Sequence, residues 1–176
     1  MIDSEYVSKA ESEIASISYE TVREILGSAV SIVLYRNEIC ACLKQVNILR
    51  QLPLKQLEVL ASGVVIQHFA PLEEIVTQDA EDSRLFIIKS GKVNVMICGQ
   101  VVRAIGANDY FGERSVLFGE KRSASVFAVT EVDCYILDKQ FFLEVVNESV
   151  LRLLHRRVLY QDHNVCLLYT SDAADE

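Results

Sequence analysis

The chain has 176 residues, 51% of them hydrophobic and 24% charged, with a formal net charge of -8. That is enough for one globular domain with a sizeable core plus a helical extension, and the acidic balance argues against non-specific nucleic-acid binding, which wants a basic face. No apolar run approaches the roughly 20 residues that span a bilayer, and the opening "MIDSEYVSKAESEIAS" is too acidic and polar for a secretory signal.

From Ser18 to about Val46 the pattern is helical. Val22, Ile25, Leu26, Ala29, Val33 and Leu34 recur at three- and four-residue spacing, and Gly27 marks a break between two helices. "LPLKQLEVLASG" reads as a short helix, with Pro53 at its start, Leu54, Leu57 and Leu60 on one face, and Gly63 after its end. Beyond Gly63 the period changes. "VVIQHFA", "EEIVTQ", "RLFIIKSGKVNVMI", "QVVRAI" and "SASVFAVTEVDCYILD" are short β-branched runs separated by turn signals. Such spacing indicates a sandwich or barrel rather than alternating β-α units. Asp138 caps a closing helical segment, "KQFFLEVVNESVLRLLHRRVLYQD", with a break at Asn147-Glu148-Ser149. The expected fold is mainly β with flanking helices: a jelly-roll-like β-roll of about eight strands, preceded and followed by α-helices.

Five cysteines stand at 40, 42, 98, 134 and 166. The Cys40-x-Cys42 pair lacks partners at zinc spacing, so no metal site is expected. Cys98, Cys134 and Cys166 read as small buried hydrophobes, with reduced thiols and a cytosolic location as the default. His68, His155 and His163 are scattered and read as structural. Tyr19, Tyr35, Phe141 and Phe142 lie on apolar helical faces and read as core. The tail "CLLYTSDAADE", Cys166–Glu176, resembles the translation of a sequencing adapter, which implies a natural sequence ending near Val165 and a truncated, disordered-tailed chain.

The chemistry concentrates in "YFGERSVLFGEKRSASVFA", Tyr110–Ala128. Gly112 permits close backbone approach or φ > 0. Glu113 offers two acceptor oxygens suited to a vicinal hydroxyl. "ERSVLF" can form one helical turn, and Arg122 supplies a planar fork that matches phosphate oxygens in pairs. Ser123 and Ala124 are small enough to leave room for a ligand. An acceptor for a sugar and donors for a phosphate describe a nucleotide monophosphate site enclosed by a β-roll.

F-G-E, three variable residues, Leu, then Arg-Ser-Ala-x-Val resembles the phosphate-binding cassette of cyclic nucleotide-binding domains, and the likeness runs from about Leu43 to Asp162. The resemblance implies domains at 1–42 (a helical linker from a preceding domain), 43–165 (the cyclic nucleotide-binding domain) and 166–176 (the tail). It implies that Glu113 accepts from the ribose 2′-OH, that Arg122 pairs with the exocyclic phosphate oxygens, and that Gly112 and Ala124 contribute backbone N–H groups. Ser123 stands where cGMP-preferring domains carry a hydroxyl and cAMP-preferring ones commonly carry alanine, so cGMP is the expected ligand and cAMP the alternative. A hydroxyl contributes about 1 kcal/mol to such a choice.

A second resemblance narrows the group. Arg114 after the cassette glutamate, with Gln161-Asp162 in the following helix, is similar to the capping triad of apicomplexan and related alveolate cGMP-dependent protein kinases, which closes over bound cGMP. The implied parent is a cytoplasmic serine/threonine protein kinase, with the cyclic nucleotide sensor of an ion channel or a cAMP-binding regulatory protein as the alternative; the implied partners are its kinase domain and neighbouring cyclic nucleotide-binding domains, and no cofactor is expected. The sequence departs from the group's pattern in lacking a proline before Arg122 and in carrying Ser123 for the more usual threonine. The chain itself carries none of the kinase Gly-rich, H-R-D or D-F-G motifs, so it reads as a ligand-binding fragment rather than an enzyme.

Overall fold

The computed structural model describes residues 16–26, 30–156 and 158–159. Helices α1 (Tyr19–Leu26) and α2 (Val30–Gln45) flank the expected break, and α3 (Leu54–Ser62) follows Pro53. Eight strands come next: β1 (Val65–Phe69), β2 (Glu74–Val76), β3 (Arg84–Ser90), β4 (Lys92–Ile97), β5 (Gln100–Gly106), β6 (Tyr110–Phe111), β7 (Ser125–Ala128) and β8 (Val132–Asp138). Helix α4 (Glu113–Phe118) interrupts them, and α5 (Lys139–Val145) follows β8. A last helical stretch covers 148–156 and 158–159. The chain divides into two compact units, Met1–Tyr35 and Arg36–Glu176.

The strands form two antiparallel sheets, ordered β1-β8-β3-β6 and β2-β7-β4-β5. Strand β3 explains why its sequence shows a continuous apolar run instead of alternation. Phe86 and Ile88 enter a core with Val93, Ile105, Val126 and Ala128 of the second sheet. Leu85 and Ile87 enter another core with Leu43, Leu49, Leu57 and Leu60 of the helical side. Strand β8 does the same, with Cys134 and Ile136 on one side and Tyr135 and Leu137 on the other. A strand covered on both faces is apolar throughout. The β4–β5 hairpin turns on Cys98 (φ 49) and Gly99 (φ 81), a pair of left-handed residues whose twist suits a two-residue hairpin.

Capping follows the sequence closely. Asp138 Oδ1 accepts from the Gln140 and Phe141 amides at 2.8 and 3.3 Å. Asn147 Oδ1 accepts from the Val150 amide at 3.0 Å, restarting the helix after the break. Leu154 and Val158 of the last helix join the helical-side core, together with Phe142 of α5.

Two expectations are corrected. Cys98 is exposed, because the hairpin turn puts it outside the sheet, whereas Cys134 is buried and its thiol is pushed up to about 12 by that burial; Cys166 lies outside the described residues. Tyr35 is exposed rather than core, as are Ile25, Val33 and Leu34 of the same amphipathic pattern. Phe142 is core and Phe141 packs partly against it, while the Tyr19 side chain lies outside what is described. Among the histidines, His68 Nδ1 pairs with Asp133 Oδ1 at 2.9 Å and His155 Nε2 donates to the Leu117 carbonyl at 3.0 Å; His163 lies outside the described residues.

Candidate functional site

Between β6 and β7 the chain leaves the sheets and folds over one end of the roll. Gly112 takes φ 88 there, a left-handed conformation that side chains resist, and it opens α4. A Cβ on Gly112 would fall on Arg122 Nη1 and would lie 2.7 Å from the Arg84 carbonyl oxygen. Glycine is therefore required twice, for its conformation and for the space beside Arg122.

The segment after α4 is pinned to the β2–β3 loop by two backbone bonds: Arg122 N to Ala80 O at 3.0 Å, and Asp79 N to Arg122 O at 2.8 Å. Arg122 thereby turns inward and is only 4% exposed. Its Nη1 donates to Ser115 Oγ at 3.0 Å, and Ser115 Oγ in turn donates to the Gly112 carbonyl at 2.9 Å. Its Nη2 donates to the Arg84 carbonyl at 2.7 Å and reaches Asp82 Oδ2 at 3.1 Å. The guanidinium stands 5.4 Å from the centre of the Phe86 ring, which stacks on Phe111 at 4.9 Å. Its Nε is buried and has no hydrogen-bond partner among the described residues.

Burial lowers the Arg122 pKa and Asp82 partly restores it, but arginine remains charged at neutral pH. Burial by itself would raise the Asp82 carboxyl, but hydrogen bonds from Arg84 and the charge and hydrogen bond of Arg122 outweigh it and hold the group below its ordinary value. The result is a buried cation whose Nε is without a partner among the described residues, a costly arrangement of about 1–3 kcal/mol for an unpaired buried polar group.

Gly112, Glu113, Arg114, Arg122, Ser123 and Ala124 all line a single cavity of about 140 Å³. Val76, Val95, Ile105 and Val126 line it too, so an apolar wall meets a polar rim. Arg114 also reaches away from it: Nε and Nη2 bond Glu120 Oε2 at 2.9 and 2.7 Å, and the guanidinium stands 5.7 Å from the Phe118 ring centre. Gln161 and Asp162 lie outside the described residues.

Four participants escaped the sequence reading. Asp82 looked like turn punctuation, Arg84 like the first residue of a strand, Ser115 like a helix position, and Arg103 of β5 like the polar half of a strand. Arg103 lines the cavity with Arg122. Only their three-dimensional convergence marks them, since they come from separate segments. His155 is a fifth: its bond to Leu117 and its 5.1 Å approach to the Phe118 ring tie the last helix to α4, which lines the cavity.

Comparison with known proteins agrees with this geometry. Residues 66–149 match the family model of the cyclic nucleotide-binding domain. The chain is 37% identical over 132 residues to a cGMP-dependent protein kinase of Eimeria tenella, covering 74% of this chain and 13% of that protein. It is 33% identical over 124 residues to one of Plasmodium berghei, covering 70% of this chain and 14% of that protein. The chain thus spans about one seventh of the length of these relatives or slightly less. In structure it is similar to the regulatory domain of Toxoplasma gondii PKA crystallised with cAMP, at a TM-score of 0.67 and 23% identity, over 78% of this chain and 56% of that one. The β-roll, its inward arginine and these matches lead to one conclusion: through residues 66–149 the chain belongs to the cyclic nucleotide-binding domain family.

Proposed function

We propose that the chain binds a cyclic nucleotide, cGMP in preference to cAMP, as a regulatory segment of a cGMP-dependent serine/threonine protein kinase. The observation that carries this reading is Arg122, a guanidinium 4% exposed with an unpartnered Nε on the wall of a cavity. A cyclic phosphate presents a single negative charge on two exocyclic oxygens, which suits a forked donor. Glu113 receives the ribose 2′-OH, the Gly112 and Ala124 amides add donors, and Ser123 Oγ addresses the base. The apolar wall of Val76, Val95, Ile105 and Val126 shields these contacts from water, which strengthens each of them. The identities of 37% and 33% with cGMP-dependent kinases favour cGMP and that parent.

Binding also has a route to the rest of such a protein. Arg114 is held by Glu120. Capping over the ligand exchanges that partner for Asp162 and Gln161, and ligand shifts the equilibrium by favouring the capped form. The segment acts by binding rather than by catalysis, in the cytoplasm, and its partners are the kinase domain and the adjoining cyclic nucleotide-binding domains.

Calorimetry with cGMP and cAMP tests the reading. The parent chain binds cGMP more tightly than cAMP, and equal or reversed affinities remove the preference. Arg122→Ala weakens cGMP binding by about 2–5 kcal/mol, the cost of leaving a buried charge without its partner. Unchanged affinity in that variant overturns the site.

A further inference from the structure

Asp82 serves two cations. Arg84 donates from Nε to Asp82 Oδ1 and from Nη2 to Oδ2, both at 2.9 Å, and its backbone amide adds a third bond to Oδ1 at 3.1 Å. Arg122 Nη2 meets Oδ2 of the same carboxylate at 3.1 Å and the Arg84 carbonyl at 2.7 Å. Arg84 therefore touches the Arg122 environment twice, directly through its backbone and indirectly through the carboxylate that it grips. The two guanidinium groups stand 5.1 and 5.4 Å from the centre of the same Phe86 ring.

The charges decide what this does. A carboxylate facing one buried guanidinium cancels most of its field, which opposes capture of an anion. The same carboxylate facing two leaves the group with one net positive charge. The forked Arg84 pair is the better-formed of the two, with two 2.9 Å bonds in the bidentate geometry that suits arginine and carboxylate. Asp82 is thus held chiefly by Arg84 while still steadying Arg122 Nη2. Resting on the reading of Arg122 as the phosphate-binding residue, we propose that Arg84 is a positioning residue for the phosphate: it holds Asp82 so that this carboxylate orients Arg122 without neutralising it.

A double-mutant cycle on the full chain, read by calorimetry with cGMP, tests this. Arg84→Ala weakens binding about fivefold, the upper end for one partly exposed pair. In an Asp82→Asn background the same change has little further effect, because Arg84 acts through the Asp82 charge. Arg84→Lys, which keeps the charge but cannot form the fork, recovers only part of the loss. Equal losses in both backgrounds overturn the proposal, and so does a lowered melting temperature with unchanged affinity, which marks Arg84 as a structural clamp on the turn alone. The two readings separate cleanly. If Arg122→Ala still binds normally, the phosphate assignment falls and this proposal with it; if Arg122→Ala loses binding while Arg84→Ala does not, only the role of Arg84 falls.

Discussion

Gly112→Ala is the sharpest test of how the backbone builds this site. Alanine at φ 88 carries a conformational cost of about 1–2 kcal/mol that glycine escapes. Its methyl group would also land on Arg122 Nη1 and come within 2.7 Å of the Arg84 carbonyl. The carbonyl belongs to strand β3 and has nowhere to go, so Arg122 must give way and surrender its bond to Ser115, worth about 0.5–1.5 kcal/mol. The combined loss of roughly 2–3 kcal/mol lowers Tm by about 5–10 °C in a chain of this length. Because the displaced group is the proposed phosphate donor, cGMP affinity falls as well. Gly99→Ala is the matched control: φ is 81 there, but nothing lies within 4 Å of the added methyl. It incurs the conformational term alone and leaves affinity untouched. Thermal melting and calorimetry on both variants separate the two terms. Equal melting shifts with unchanged affinity in Gly112→Ala would refute the claim that this glycine makes room for Arg122.

Two further measurements address the scaffold. Asp138→Ala removes the cap of α5, which accepts from Gln140 N and Phe141 N, and costs about 1 kcal/mol; Tm falls by about 2–4 °C, and because Asp138 is not among the residues lining the cavity, cGMP affinity is unchanged. His68 and Asp133 give a pH signature. The hydrogen bond to Asp133 raises the His68 pKa above its ordinary value, so the pair's contribution is complete below that ordinary value and fades as pH rises through the folded one. The bond to His68 lowers the Asp133 pKa, so the same contribution also fades in acid as pH falls through the folded Asp133 value. Melting curves of the parent between these limits, set against His68→Gln, show the fading only in the parent; parallel profiles remove the pair as its source.

The sequence by itself determined the order of elements, because each rests on local physics. Pro53 and Gly63 bracket α3, Asp138 and Asn147 cap the helices that follow them, and Cys98-Gly99 turns the β4–β5 hairpin. The cassette was legible for the same reason: its residues lie within fifteen positions of one another, and Gly112, Glu113, Arg122 and Ser123 line one cavity. What the chain order could not reveal is what surrounds Arg122. Asp82 and Arg84 reach it from the β2–β3 turn and β3, Ser115 reaches it from α4, and Arg103 joins the cavity from β5. Cys98 and Tyr35 were misplaced for a related reason, since burial depends on which neighbour covers a face and not on the face being apolar. Local pattern specifies an element and the side chains it can offer. Only the tertiary fold decides which charges meet below the surface, where low polarity makes their pairing decisive.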